Sequence, residues 1–176
     1  MKLLHGSALA ACAAILALTG VARAETKVEM KGVHLCCPGC VKAVGEIIKK
    51  VDGVKGECDQ KAGTVTLTAT DAAAAQKALD ALAAGGFHGT TDSKTLTIKD
   101  DSGVAKGKVK SLKLEGVHNC CGQCTKAITG AVKKVEGVTG NTAKAKTDSF
   151  EVTGDFDAEE LVKALNAAGY HVKVKK

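Results

Sequence analysis

The sequence predicts an α+β protein built from two tandem βαββαβ units, and three observations support this prediction. Residues 27–91 can be aligned with residues 108–174 almost throughout. Both segments show strand alternation followed by helical periodicity, twice over. Six of the eight cysteines lie in two copies of one stretch, which reads GVHLCCPGC at 32–40 and GVHNCCGQC at 116–124. Internal repetition of this length indicates two small domains rather than one larger domain.

The first 24 residues resemble a secretory signal peptide. A basic Lys2 precedes a short apolar run at 9–18, and residues 22–24 read Ala-Arg-Ala, which is a small-x-small cleavage site. The run is shorter than the roughly 20 residues of a membrane span, which disfavours an uncleaved anchor. A lipoprotein anchor at Cys12 is also disfavoured, because the apolar run continues past that cysteine. We therefore expect an exported protein, periplasmic or secreted, with no stable membrane insertion after cleavage.

The charge and the aromatic content exclude nucleic acid as a partner. Removing residues 1–24 takes away Lys2 and Arg23, which leaves 23 basic against 19 acidic residues and a net charge of +4. These charges are interspersed along the chain, as on a solvated surface. One Tyr, three Phe and no Trp provide little surface for stacking on bases.

The first strand and helix of each unit follow from periodicity. Alternating apolar residues at 28–33 and 112–117 predict a half-buried strand that runs into a glycine-marked loop. A helix follows each cysteine stretch, and we expect Gly53 and Gly137 to close these helices. Their apolar stripes are formed by Val41, Val44, Ile48 and Val51, and by Ile128, Val132 and Val135.

The remaining elements complete each unit. The alternation around Val65 and around Phe150 predicts a second strand pair, and Asp71 and Asp157 are suited to cap second helices. A closing edge strand follows the second helix in each copy. This order of strand, helix, strand, strand, helix, strand is the split-βαβ, ferredoxin-like unit.

The domain boundaries follow from composition. Residues 25–99 form the first predicted domain and residues 108–176 the second. Residues 93–99 are predicted to be an extra strand or an extension of the closing strand. A turn at 100–103 then opens a polar linker at 100–107, which is too short to let the domains move far apart.

The cysteines carry the chemistry of the sequence. Cys37 and Cys40 form a C-x-x-C whose second cysteine lies in the first helical turn, and Cys121 and Cys124 repeat it. Backbone N–H groups at a helix N-terminus favour the thiolate, which is both a nucleophile and a metal ligand.

Thiolates select Cu(I) and other thiophilic ions. Cys36 and Cys120 provide a third sulfur in each copy, and His34 and His118 provide an imidazole that could ligate or hydrogen-bond the thiolates. The alternative for Cys36 and Cys120 is a disulfide with a neighbour in the same motif. Cys58 has no counterpart in the second copy and is predicted to be a packed thiol.

With these motifs the chain resembles the heavy-metal-associated domain family of copper chaperones, copper-ATPase N-terminal domains and periplasmic mercury-binding proteins. That family has a Gly-Met-x-Cys-x-x-Cys motif, a Val-x-Gly-Val turn and a later Ala-Gly-Tyr. The matching segments are Cys37 with Cys40, 51–54 and 85–87, and Cys121 with Cys124, 135–138 and 168–170.

Several positions depart from the family pattern. Leu35 and Asn119 replace its methionine, and His34 and His118 replace its glycine. The extra cysteine of each motif opens the way to a higher coordination number or to clusters between molecules. The repeated His88 and His171 lie at the loop that approaches the metal in the family, although strand alternation could turn them to solvent. Phe87 and Tyr170 are predicted to shield the site.

The sequence therefore predicts two metal sites, one in each domain, formed by Cys36, Cys37 and Cys40 and by Cys120, Cys121 and Cys124. Cu(I) is the expected ion, with Hg(II), Zn(II) and Cd(II) as alternatives. The expected function is sequestration, or delivery by thiolate exchange to a metal-transporting or metal-accepting protein. A thiol–disulfide redox protein with C-x-x-C disulfides is the rival prediction. No enzyme is predicted, because no nucleophile–base–orienter arrangement of a known hydrolase occurs.

Overall fold

The computed structural model of the chain describes residues 24–175. The predicted signal segment at 1–24, including Cys12, lies outside this range except for Ala24. Within the described range, none of the helices combines the length and the apolar character that a membrane crossing requires.

The N-terminal half contains one four-stranded antiparallel sheet and two helices. Its strands lie in the order β2-β3-β1-β4, and its helices pack together and against the sheet. The elements are β1 Thr26–Lys31, α1 Pro38–Ile48, β2 Val54–Asp59, β3 Thr64–Ala69, α2 Ala72–Ala84 and β4 Thr90–Thr91.

The C-terminal half repeats this architecture, with its strands in the order β6-β7-β5-β8. Its elements are β5 Lys108–Glu115, α3 Gly122–Val132, β6 Val138–Asn141, β7 Ser149–Asp157, α4 Ala158–Ala167 and β8 Lys173–Val174. Two four-stranded sheets with four helices confirm the predicted mixture of helix and strand. The strand orders are consistent with ferredoxin-like units.

The predicted apolar patterns line the core. In β3, Val65 and Leu67 are fully buried, while the threonines that alternate with them are only half-buried. On the helices, Val44 and Ile128 are fully buried on the faces that pack against the sheets. Burial of one strand face and one helical stripe supplies most of the favourable free energy of folding in such small units.

The predicted caps of the second helices are confirmed. The Asp71 side chain accepts a hydrogen bond from the backbone N–H of Ala74, and Asp157 accepts from Glu159 and Glu160. Each cap satisfies backbone donors that have no partner within the helix.

The predicted ends of the first helices are wrong by several residues. Helix α1 ends at Ile48 and α3 ends at Val132, well before Gly53 and Gly137. The chain tightens at 50–51 and at 134–135, where backbone N–H groups bond to carbonyls three residues back instead of four. This tightening ends the α-helix, and the two glycines lie in the turns that lead to the next strand.

The strand predicted at 93–99 is also absent from the described chain. Strand β4 contains only Thr90–Thr91. The Ser93 hydroxyl then accepts a hydrogen bond from the N–H of Leu96, and Thr91 donates to the Leu96 carbonyl at 2.5 Å. These side-chain hydrogen bonds to the backbone compete with strand pairing and fold the segment into a turn.

The two halves are joined by a short antiparallel pairing. The His88 N–H donates to the Gly169 carbonyl at 3.0 Å, and the His171 N–H donates to the Gly86 carbonyl at 3.1 Å. Phe87 and Tyr170 lie opposite each other between these bonds. Because equivalent residues of the two halves contact each other reciprocally, the halves are related by an approximate two-fold axis.

Gly86 and Gly169 allow this close approach. A Cβ atom on Gly86 would lie 2.2 Å from the His118 backbone nitrogen, and one on Gly169 would lie 2.4 Å from the His34 backbone nitrogen. Both glycines have φ values in the left-handed region, +83° and +87°. A residue with a side chain would therefore both strain the backbone and separate the halves.

Candidate metal site

The cysteines are positioned by the N-termini of α1 and α3. Cys37 and Cys121 are the N-cap residues with extended backbones, and Pro38 occupies the first turn of α1. Proline is tolerated there because its missing N–H has no helical partner. Cys40 and Cys124 lie in the first helical turn, as predicted for the second cysteine of each motif. Both are fully buried.

The two motifs form one cluster of six sulfurs between the halves. The sequence predicts two separate sites, whereas the structure brings the sulfurs of both motifs together. The halves meet at these loops, so each motif faces the other across the approximate two-fold axis. Sulfur–sulfur distances between the halves are 3.4 Å for Cys36–Cys124, 3.6 Å for Cys40–Cys120, 3.7 Å for Cys36–Cys121 and Cys37–Cys120, and 3.9 Å for Cys40–Cys124.

The histidines of the two motifs also cross between the halves. The His34 ring contacts the Tyr170 ring at 4.6 Å between centroids, and His118 stacks on Phe87 at 4.4 Å. The Nε2 atom of each imidazole is buried and has no hydrogen-bond partner. Burial lowers the pKa of His118, which keeps this imidazole neutral at neutral pH.

Three groups of these side chains have the spacing of metal ligands, and they contain only sulfur and imidazole donors. Each group draws on both halves of the chain. A buried imidazole nitrogen without a hydrogen-bond partner costs free energy unless it binds something else. Because the other donors are sulfurs, the set fits a soft metal ion. The groups are Cys40, His118, Cys120 and Cys124; His34, Cys36 and Cys124; and Cys36, Cys37 and Cys121.

The thiols ionise as a coupled set. The backbone N–H of Cys40 lowers the pKa of Cys37 to about 7. Hydrogen bonding from Cys40 lowers the pKa of Cys124 to about 2, although burial opposes this shift. The same contact, together with burial, raises the pKa of Cys40. Because Cys40 and Cys124 are equivalent in the two halves, the pair shares one negative charge.

The cluster is open to solvent on one side. A groove of about 570 Å³ is lined by both N-cap cysteines and by the first turns of α1 and α3. Cys37 and Cys121 are half-buried at this opening, whereas Cys40 and Cys124 lie beneath them. None of the seven cysteines in the described chain is paired in a disulfide.

The two residues that stand at the position of the family's methionine are both buried. Leu35 is 4% exposed and packs in the core, as a methionine would. Asn119 is 5% exposed; its amide donates to the Lys144 carbonyl at 2.7 Å and accepts from the Thr125 hydroxyl at 2.9 Å. These hydrogen bonds make a polar side chain acceptable at a core position.

His88 and His171 are brought together, but away from the sulfurs. Their rings stack at 5.8 Å between centroids, and neither residue belongs to a ligand group found within the described chain. The alternative that strand alternation turns them to solvent is wrong for His171, which is 3% exposed and bonds to Asp101 through Nε2 at 2.6 Å. Cys58 is half-buried in β2, consistent with a packed thiol.

Sequence reasoning missed the residues that join the halves. Tyr170 is buried as predicted, but its hydroxyl also donates to the Cys124 carbonyl at 3.2 Å. The signal for the junction is present in the sequence, because a glycine, an aromatic residue and a histidine occur in register at 86–88 and 169–171. The repeat alone does not reveal that these two segments pair with each other.

The sequence comparison assigns the segment that contains the second cysteine motif. Residues 111–171 match the heavy-metal-associated domain. This domain includes His118, Cys120, Cys121 and Cys124. No curated protein matches the chain significantly.

Three solved structures of heavy-metal proteins are among those similar to the chain. Oxidized MerP from Ralstonia metallidurans CH34 is 29% identical, with a TM-score of 0.35 over 41% of this chain and 100% of that chain. A copper binding domain from HMA7, a P-type ATPase, is 15% identical, with a TM-score of 0.36 over 39% of this chain and 96% of that one. The N-terminal soluble domains of Bacillus subtilis CopA are 17% identical, with a TM-score of 0.32 over 87% and 95% of the two chains.

Proposed function

We propose that the chain is a tandem pair of heavy-metal-associated domains that binds Cu(I) at a site shared by both domains. The convergence of six cysteine sulfurs from two motifs carries this proposal, since each lies within 4 Å of at least two others. Neutral thiols gain little from such crowding. A soft cation converts the same arrangement into favourable metal–thiolate bonds.

The donor set favours Cu(I) over the other soft ions. Sulfur is the preferred ligand of Cu(I), and the ligand groups of the described chain contain no carboxylate. A two-coordinate ion would hold its sulfurs about 4.6 Å apart, given metal–sulfur bonds of about 2.3 Å. The shorter distances in this cluster disfavour two-coordinate ions and fit ions that bind three or four ligands, whose sulfurs lie about 4.0 and about 3.8 Å apart. Zn(II) would find four ligands in the group of three cysteines with His118.

Transfer by thiolate exchange is supported by the opening. An acceptor cysteine reaches the cluster through the groove that Cys37 and Cys121 line. The thiolate of Cys37 forms near neutral pH, with its pKa lowered to about 7, so it is a ready leaving ligand. Lys126 at the same opening adds a positive charge for docking to an acidic acceptor.

Export and the partner belong to the same proposal. The segment at 1–24 directs the chain to an exported compartment, periplasmic or extracellular, where it sequesters the metal or delivers it. The partner is a metal-transporting or metal-accepting protein that offers cysteine thiolates. The work assigned to the chain is binding and transfer rather than catalysis.

Metal retention by the reduced chain tests the proposal. We expect the anaerobically reduced protein to retain Cu(I) through gel filtration and to protect its six motif cysteines from alkylation by iodoacetamide. Cys58 lies outside the cluster and should stay as reactive with metal as without it, which provides an internal control. Mass spectrometry of tryptic peptides reads the modification at each cysteine.

The opposite result would favour the redox prediction. If the fully reduced protein retains no Cu(I), and air oxidation instead yields three disulfides among the motif cysteines, the chain is a thiol–disulfide protein. Retention of Zn(II) or Hg(II) in preference to Cu(I), in competition with a chelator of known affinity, would reassign the metal and keep the site.

A further inference from the structure

The six sulfurs form a connected strip of triangles. Nine sulfur–sulfur contacts lie between 3.4 and 3.9 Å. These contacts close four triangles, each of which shares an edge with the next. In order along the strip, the triangles are Cys37–Cys40–Cys120, Cys40–Cys120–Cys124, Cys36–Cys40–Cys124 and Cys36–Cys121–Cys124.

The size of these triangles matches three thiolates around one ion. A planar three-coordinate ion with metal–sulfur bonds of about 2.3 Å holds its sulfurs about 4.0 Å apart. The contacts of 3.4–3.9 Å are close to this value and far from the disulfide bond length of about 2.05 Å. No four of the six sulfurs are all in mutual contact, so the sulfurs alone provide no tetrahedral site.

Every triangle contains sulfurs from both halves. Within one motif, the Cys40 sulfur lies 3.7 Å from the sulfurs of Cys36 and Cys37, whereas Cys36 and Cys37 lie only within 4.8 Å of each other, in a group with Cys121 of the other half. The Cys124 sulfur likewise contacts those of Cys120 and Cys121. A single half therefore completes no three-sulfur site, and the two halves together complete four.

We propose that the six cysteines bind one Cu(I)–thiolate cluster of four ions, one for each triangle, instead of one ion in each half. The inference rests on the proposed function. It specifies how many ions bind and which thiolates bridge them. Cys40 and Cys124 each belong to three triangles and bridge the cluster, while Cys37 and Cys121 each close one end. Copper enters and stays as Cu(I), and the displaced thiol protons leave to solvent.

The shared edges make loading cooperative. The first ion brings sulfurs of both halves into thiolate form and fixes the halves relative to each other. The next ion then binds ligands that are already placed, so it loses less conformational entropy. Partly loaded chains are therefore scarce, and unloaded and four-ion chains predominate.

Native mass spectrometry during an anaerobic Cu(I) titration tests this proposal. We expect the zero-ion and four-ion species to dominate, and we expect X-ray absorption of the loaded protein to show copper–copper scattering. Cys58→Ser is the matched control and should still take up four ions, because Cys58 lies in β2 outside the cluster.

Serine variants at different positions of a motif should bind different numbers of ions. Cys37→Ser removes one triangle and should reduce the maximum from four ions to three, and Cys121→Ser should do the same. Cys40→Ser removes three triangles and should leave at most one ion. Because Cys40 is fully buried, circular dichroism must show that Cys40→Ser folds. If it does not fold, the Cys37→Ser and Cys121→Ser variants still test the proposal, since both residues are only half-buried.

Several outcomes would overturn the inference. A statistical series of zero, one and two ions without copper–copper scattering would mean independent sites. A single Zn(II) ion that depends on His118 would mean one tetrahedral site of three sulfurs and a nitrogen. Both results would leave metal binding intact, whereas a reduced protein that binds no metal would overturn the proposed function itself.

Discussion

At the level of single residues, His34 and His118 combine two roles that are normally separate. Each ring packs on an aromatic ring of the opposite half, and each keeps a buried Nε2 atom without a partner. The packing stabilises the junction, while the unpaired nitrogen costs free energy as long as nothing binds it. The two contributions can be separated by substitution.

Replacement of His118 by phenylalanine separates them. His118→Phe keeps a ring against Phe87 and removes the unpaired nitrogen, so the free energy of unfolding of the metal-free chain should rise by about 1 kcal/mol. Cu(I) affinity should fall by about tenfold, which corresponds to about 1.4 kcal/mol. Urea unfolding and chelator competition measure the two effects.

His118→Ala and the equivalent substitution in the first half, His34→Phe, serve as controls. His118→Ala loses the ring contact as well and should lower both quantities, and His34→Phe should behave as His118→Phe does. An unchanged Cu(I) affinity in both phenylalanine variants would restrict the two imidazoles to packing.

The residues of the site were largely predictable, but their partners were not. The repeat and the C-C-x-x-C spacing point to all six cysteines and to His34 and His118, which the structure brings together; whether they ligate a metal stays a prediction. The sequence pairs Cys36 with its own motif, because local spacing is the only information available there. In the structure the shortest sulfur contact of Cys36 is with Cys124, which lies 88 positions away.

At the level of elements, the loops before the last strand of each half control the junction. Gly86 and Gly169 lie against backbone of the opposite half, and each has a left-handed conformation. Each of these glycines lies two residues after the end of a helix, α2 for Gly86 and α4 for Gly169. Each helix end thereby presents backbone to the other half instead of a side chain.

A methyl group at these glycines should open the junction. Gly169→Ala adds left-handed strain of about 1–2 kcal/mol and places a Cβ atom 2.4 Å from the His34 backbone nitrogen. We expect the metal-free chain to expand in small-angle X-ray scattering and its motif cysteines to react several-fold faster with a disulfide reagent, since Cys40 and Cys124 would be uncovered.

Gly130→Ala is the matched control for this variant. Gly130 lies in α3 with open space around the position of a Cβ atom, so the substitution should stabilise the chain by roughly 0.5–1 kcal/mol without opening it. Equal compactness of the Gly169→Ala and wild-type proteins would mean that the halves do not depend on this contact.

Element types were predictable and element ends were not. Alternation and helical periodicity identify buried faces such as those of β3 and α1, because the core imposes these patterns on the sequence. The ends of α1 and α3 are set by a local change from i→i−4 to i→i−3 backbone hydrogen bonds. The spacing of apolar residues carries no information about this change. The turn at Ser93 likewise depends on side-chain hydrogen bonds that mimic backbone pairing.

At the level of the whole molecule, a second histidine pair makes stability depend on pH. Burial, and then the charge of His171, lower the pKa of His88 to about 4 from 6.5, although Asp100 and the Asn166 backbone oppose this shift. The unfolded chain therefore binds the His88 proton more tightly than the folded chain does. The free energy of unfolding should fall as the pH drops from 6.5 towards 4, with no further His88 contribution below that range.

The difference between the wild type and His88→Phe isolates this contribution. The Cys124 thiolate, with its pKa lowered to about 2, makes stability fall with pH in the same direction, but it does so equally in both proteins. Denaturant unfolding of the reduced, metal-free chain between pH 7 and 4 should show the smaller pH dependence in His88→Phe. Parallel curves for the two proteins would contradict the assignment.

The arrangement of the two halves lay beyond what the sequence predicts. The apolar pattern of each repeat specifies the core of its own half, as Val65 and Phe150 illustrate. That pattern would be the same if the two halves never touched. The docking rests on backbone hydrogen bonds at His88 and His171 and on ring contacts between the halves. Neither kind of contact produces a hydrophobic periodicity in the sequence. The cysteines of the two predicted sites thereby lie side by side.

The segment between β4 and β5 has a consequence for how the site responds to dilution. Its two ends are held by hydrogen bonds, from the Asp92 N–H to the Glu29 carbonyl at 3.0 Å and from the Ala158 N–H to the Gly107 carbonyl at 3.1 Å. A short tether keeps each half at an effective concentration in the millimolar range for the other half. Two separate chains that shared a site in this way would come apart when scarce, whereas this chain keeps its site assembled however few copies are present.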